Sequence, residues 1–176
     1  MEVIAEKNWM VAFPLKVDIH ELIVWARRIQ CGSQGTISNS PEHKTGLWWF
    51  AETHPLLKKR LEEITPLNLE WQSSIWEWQD GSPLLKHSDG LGRGASLVAV
   101  LIGKFEIFSH CPETGEILDS YVYGPGQIVA LKNGHKKPHS GRCLQGYRLA
   151  VCTYATNIDD PFRDYGRLKT SWADCD

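Results

Sequence analysis

Between residues 67 and 155 the chain is cut by glycine- and proline-bearing turns into short runs that either alternate or are continuously apolar. Few folds accept that pattern. Leu67, Leu69, Trp71 and Ser73 alternate, and a shift then puts Trp76 and Trp78 in phase with each other, which predicts a strand with a bulge. A turn over residues 79–83 follows. Residues 95–102 are almost wholly apolar, residues 104–108 alternate, and a turn at 112–115 leads into a further extended run over 116–123. Gly124, Pro125 and Gly126 turn the chain into residues 127–131, and a last strand is expected from Gly146 to about Ala155. Many short strands at regular spacing predict a mainly β domain of the sandwich or jelly-roll kind.

Residues 1–66 read differently, as a helical and aromatic support segment. Asp18 offers an N-cap to a helix in which Ile19, Leu22, Ile23, Ala26 and Ile29 recur at helical spacing, ending at Cys31-Gly32. A Gly/Ser/Asn/Pro-rich loop over 32–45 precedes an extended Leu47-Trp48-Trp49-Phe50, expected beneath the sheet. Thr53 is the expected cap of a second helix, with Pro55 in its first turn, an apolar face of Leu56, Leu57, Leu61 and Ile64, and Pro66 closing it. At 176 residues the chain fits a single domain: this support segment, a core over 67–155, and a polar tail over 156–176.

A net charge of −2 supplies no basic field for a phosphate backbone, so nucleic acid is not the expected partner. The 5 cysteines are scattered without a Cys-x-x-Cys pair, which argues against a disulfide framework and a thiolate zinc site. The first residues do not read as a signal peptide and no apolar run is long enough for a bilayer, so the expectation is a cytoplasmic protein with no membrane partner. Its oligomeric state stays open.

One short stretch carries chemistry. In Lys86-His87-Ser88-Asp89-Gly90, an imidazole and a carboxylate two residues apart would share a face if they continued one strand. Two imidazoles and one carboxylate on one side of a metal, with the other positions open, form the ligand set of non-haem Fe(II) oxygenases. His139 can supply the second imidazole, since the gap between the two histidines is long enough for four or five strands to go round; His135, in a Gly/Lys loop, competes with it. Arg148 lies inside an otherwise apolar strand, where a guanidinium needs a partner such as a bidentate carboxylate. His110 beside Cys111 suggests a mixed metal site only weakly, since no second pair completes it.

Trp78, Gly81, His87 and Asp89, then the glycine turn and apolar strand over 124–131, then His139 and Arg148, resemble the Fe(II)- and 2-oxoglutarate-dependent dioxygenase superfamily, and within it the prolyl-hydroxylase-like branch. The likeness departs at Trp78, where tyrosine is usual, and at Leu84, where many members carry a cosubstrate-contacting tyrosine. It implies a double-stranded β-helix, cupin-like, with the N-terminal helices packed on one sheet. It implies Fe(II) held by His87, Asp89 and His139, 2-oxoglutarate with its far carboxylate on Arg148, and O2 as oxidant. The implied reaction is hydroxylation of an unactivated C–H on a prolyl or other residue of a peptide or protein, or on a free amino acid or small molecule. Trp78, Arg93 and Arg142 are the candidate substrate contacts. Two other readings stand beside it: a nucleic-acid demethylase of the AlkB-like branch, disfavoured by Tyr154 six beyond Arg148 where that branch has a second arginine, and a cupin-like module that binds without turnover.

Overall fold

A computed structural model describes residues 2–33, 36–37, 47–64, 69–78, 83–88, 95–131 and 137–157. Among these residues ten strands and two helices follow in the order β1 (Ala5–Lys7), β2 (Met10–Pro14), α1 (Ile19–Gly32), β3 (Thr36–Ile37), β4 (Leu47–Glu52), α2 (Pro55–Ile64), β5 (Leu69–Trp78), β6 (Pro83–His87), β7 (Ala95–His110), β8 (Ile117–Tyr123), β9 (Gln127–Leu131) and β10 (His139–Asn157). The larger sheet runs β1-β2-β9-β7-β10-β5-β4-β3, and β6 and β8 flank the other halves of β10 and β7 to give a smaller sheet ordered β6-β10-β7-β8. Every pairing is antiparallel. The fold is a double-stranded β-helix, mainly β, with two helices against one sheet.

Two long strands join the sheets by bending at the same level. Gly103 in β7 takes φ +82° and Gly146 in β10 takes φ +71°, both in the region open to glycine. The β7–β10 register shifts between Leu144 and Leu149, beside that corner. A side chain at Gly103 would run into the carbonyl oxygen of Tyr147. Gly103→Ala is therefore expected to destabilise the protein by at least about 1–3 kcal/mol, the usual cost of a non-glycine residue held in such a conformation. Urea denaturation checks it; an unchanged midpoint would mean the corner can be re-formed without glycine.

The apolar runs are long because both faces of the larger sheet are covered. From β7, Leu97, Ala99 and Leu101 pack toward Leu22 and Ala26 of α1 and Leu57, Leu61 and Ile64 of α2, while Val100 joins Met10, Ala12, Val129 and Ala150 between the two sheets. β2 divides in the same way, with Val11 and Phe13 to the helix side. A strand buried on both sides loses the polar half of its alternation.

α1 begins as expected, the Asp18 carboxylate accepting from the backbone N–H groups of His20 and Glu21. Other expectations are corrected. The residue ahead of Pro55 in α2 is His54, whose carbonyl accepts from the N–H of Lys58 and whose Nδ1 accepts from the N–H of Leu56. Thr53 instead shares a hydrogen bond with Ser73, which shares another with Thr153, a buried hydroxyl chain running from just past β4 across β5 to β10. β5 pairs without a shift to both neighbours, so it carries no bulge: Trp71 and Ile75 face the helices, Trp76 and Trp78 the interior. Phe50 is exposed, as is Leu56. β10 starts at His139 rather than Gly146. Among the described residues three strands intervene between β6 and β10, where the spacing has room for four or five, because β7 serves both sheets. The Pro66 stop, the turn over 79–82 and the tail from residue 158 lie outside the described residues. Among the described residues no helix is long and apolar enough to cross a membrane.

Candidate active site

The inner face of the smaller sheet is built in layers. Cross-strand register aligns Asp119, Ser109, His139 and His87 in one row. The next row holds Tyr121, Ile107, Gly141 and Leu84, and the third Tyr123, Phe105 and Cys143. Beyond the corner comes Arg148, opposite Trp78 of β5. His139 thus stands at the start of β10 and Arg148 midway along it, with the second and third rows and the corner between them.

The His87 and His139 rings meet with centroids 4.4 Å apart. Nδ1 of His87 lies 2.8 Å from the carbonyl oxygen of Leu85, and Nδ1 of His139 lies 3.2 Å from that of Lys137. A carbonyl only accepts, so in each of these contacts the ring donates from Nδ1. An Nδ1–H given to a backbone carbonyl is how a metal-binding imidazole is commonly held. β6 ends at His87, and Asp89 and Arg93 lie outside the described residues. Among the described residues no group of three His, Cys, Asp or Glu side chains converges.

Arg148 is 4% exposed, and its Nε and Nη1 atoms have no hydrogen-bond partner among the described residues. Its Cζ sits 3.7 Å from the centre of the Phe105 ring and 4.4 Å from that of Trp78. Burial lowers its pKa, and Tyr123, Cys143 and Cys152 act the other way. A guanidinium nevertheless stays protonated near neutrality. Tyr123, the register partner of Phe105, has its phenol pushed up to about 12 by burial despite the opposing charge of Arg148, so it remains a neutral donor. Phe105 and Tyr123 were not singled out by sequence, although the alternation over 104–108 set the inward phase of Phe105.

Arg142 takes the other face. It is exposed, pairs with Glu106 at 2.7 Å and lies over the Phe108 ring, so it is not brought to the side of the histidines. Trp78 is buried between Trp76, Phe105 and Arg148. His110 is not left for a metal: its Nδ1 donates to the carbonyl oxygen of Gly115 at 2.9 Å and its Nε2 accepts from the Ser140 hydroxyl at 2.7 Å. With the His110 N–H on the carbonyl oxygen of Pro138, it grips β10 on both sides of His139.

The β1–β2 turn is tied to the histidine end of this sheet. Lys7 Nζ lies 2.8 Å from the Asp119 carboxylate, Trp9 Nε1 donates to it at 3.0 Å, and Lys137 Nζ donates to the carbonyl oxygen of Asn8. The hydrogen bond from Lys7, then that from Trp9, holds the Asp119 carboxyl below its usual pKa. A carboxyl whose folded pKa is depressed adds stability above its unfolded pKa and loses it as pH falls through the folded value. The pair is partly exposed, so Asp119→Asn is expected to cost under about 1 kcal/mol near pH 7. Thermal melts at pH 7 and near pH 3 check the sign: the gap between wild type and variant should shrink in acid, and a constant gap would assign the effect to packing.

No family model matches the sequence, and no curated protein is similar to it. Solved structures resemble it in fold. A prolyl-4-hydroxylase from Pseudomonas putida aligns with a TM-score of 0.57 at 12% identity, covering 82% of this chain and 91% of that one. The non-haem α-ketoglutarate-dependent epimerase SnoN of nogalamycin biosynthesis aligns with a TM-score of 0.61 at 13% identity, covering 94% and 86%. At such identity the likeness is one of fold, and the fold they share with this chain is the double-stranded β-helix.

Proposed function

We propose that the protein is an Fe(II)- and 2-oxoglutarate-dependent dioxygenase that hydroxylates an unactivated C–H, on a prolyl or other amino-acid residue, a free amino acid or a small molecule. The observation that carries this reading is the buried Arg148 guanidinium, whose Nε and Nη1 have no hydrogen-bond partner among the described residues, on the same strand as His139, whose ring meets that of His87. Buried polar groups are nearly always paired, and a charged group without a partner asks for a ligand of opposite charge. The fork of a guanidinium suits a carboxylate.

His87, His139 and Asp89 would hold the iron, and Arg148 the far carboxylate of 2-oxoglutarate, with the Tyr123 hydroxyl as a second donor. Together the iron and 2-oxoglutarate supply the power to place one oxygen atom of O2 into a C–H bond, the other leaving in succinate with release of CO2. The chain orients and shields. The carbonyls of Leu85 and Lys137 fix the imidazole rings, His110 and Ser140 steady the start of β10, and Trp78, Phe105, Ile107 and Val100 exclude water.

Anaerobic addition of Fe(II) and 2-oxoglutarate should produce a metal-to-ligand charge-transfer band, and adding O2 with substrate should release succinate. Iron bound without that band, and no succinate with any amino acid or proline-containing peptide, would favour a module that binds without turnover.

A further inference from the structure

β5 is paired unequally along its two edges. On one side β10 follows it as far as Leu69, which pairs with Asn157; on the other β4 stops at Glu52, opposite Gln72, and the chain turns away into α2. Leu69, Glu70 and Trp71 therefore present an edge that no strand among the described residues covers. The notch left there is a cleft of about 1180 Å³ between the start of β5, the end of β4 and α2. Glu52, Glu62 and Glu70 line it, and the one cation among its lining residues is Lys58, 3.9 Å from Glu62. Phe50, another lining residue, is 67% exposed. Trp71 also lines the cleft, yet it is 8% exposed, and its indole Nε1 has no hydrogen-bond partner among the described residues. A buried indole N–H usually finds one.

We propose that this cleft is a docking site for an extended peptide segment that carries lysine or arginine. Four features call for the same ligand. An uncovered strand edge accepts an added strand through backbone hydrogen bonds. The indole N–H of Trp71 requires an acceptor, which a peptide carbonyl supplies and a bare cation does not. The excess of carboxylates calls for positive side chains. The exposed ring of Phe50 offers a face to such a cation or to its apolar stem. The cleft is separate from the histidines and Arg148: Trp71 packs on the helix side of the larger sheet with Leu57 and Leu61, whereas Trp76 and Trp78 of the same strand face the interior. Docking here needs neither a metal nor a 2-oxo acid, so it stands or falls apart from the function put forward above.

The probe is a capped octapeptide of alternating lysine and threonine, compared with its glutamate counterpart and with spermidine, which carries charge but no carbonyl. Calorimetry measures binding to the full chain as wild type, Trp71→Phe and the double variant Glu52→Gln/Glu70→Gln, with circular dichroism confirming the fold. The lysine peptide should bind wild type and the glutamate peptide should not. The double variant should lower the affinity about 3–10-fold, and added salt should weaken binding to wild type. Trp71→Phe keeps a ring in the core and removes the donor; it should cost the peptide about 5-fold and leave spermidine unchanged, a split that a packing role would not produce. Spermidine binding as tightly as the peptide, or peptide affinity unchanged in either folded variant, overturns the proposal. Self-association of wild type that the double variant abolishes would give the cleft to a second copy of the chain and overturn it too. If Trp71→Phe does not fold, the double variant and the spermidine comparison decide.

Discussion

Arg148→Met is expected to give a protein that melts higher and no longer takes up 2-oxoglutarate. The guanidinium is 4% exposed, and two of its nitrogen atoms lack a hydrogen-bond partner among the described residues. Burying an ion costs several kcal/mol after relaxation. The aromatic faces of Phe105 and Trp78 return only part of that, about 0.5–2 kcal/mol for such contacts. Methionine is unbranched, fills irregular space and packs well against rings. The net gain should be about 1–4 kcal/mol, the range seen when buried charges are replaced by apolar groups. For a chain of this size that is a rise of several degrees in Tm. Binding should move oppositely: the thermal shift given by 2-oxoglutarate in wild type should vanish, since losing the partner of a buried carboxylate costs about 2–5 kcal/mol. Melting curves with and without the acid read both effects. A large fall in Tm without ligand would show that the cation is paired within the protein, and the case for an external carboxylate would lapse.

That tension between stability and function was half visible in the sequence. Arg148 stood out because its neighbours in the chain are apolar, and a guanidinium in such company calls for a partner. Of the two rings that receive it, Trp78 is legible in the sequence and Phe105 is not, because Phe105 comes to the inner face beside Tyr123 only through a register set by the corner at Gly103 and Gly146. Local alternation gives the phase of a strand; it does not say which sheet the phase faces once the strand has bent. β5 shows the related difficulty. Its tryptophans sit on both faces, Trp71 outside and Trp76 and Trp78 inside, and a strand covered on both sides imitates a change of phase. The cap of α2 was misread for a local reason: Thr53 and His54 both precede Pro55, and only the tertiary pull of Ser73 takes the hydroxyl away. β2 was missed because a five-residue run gives no alternation when both its faces are buried, and β1, at three residues, is too short to show any. His87 and His139, candidates from the sequence, fall in one cross-strand pair.

His139→Ala tests that pair most directly. A cross-strand position is held by its backbone ladder, and His139 pairs in register with Ser109 on one side and His87 on the other whatever its side chain. The variant should therefore keep its strand content by circular dichroism. Fe(II) affinity should fall by more than about 100-fold, beyond the 10–100-fold typical of losing a supporting contact to a ligand. His87→Ala should behave alike. The informative measurement is the double variant. Two ligands of one metal act as a unit, so the second replacement should cost little once the first has been made, whereas two unrelated surface histidines would contribute independently. Ser140→Ala supplies the intermediate case, since it removes only the hydroxyl that His110 accepts from beside His139 and leaves both imidazoles in place. A modest loss there, a large loss in either histidine variant and near-saturation in the double one would together identify His87 and His139 as partners on one iron. Additive losses would separate them.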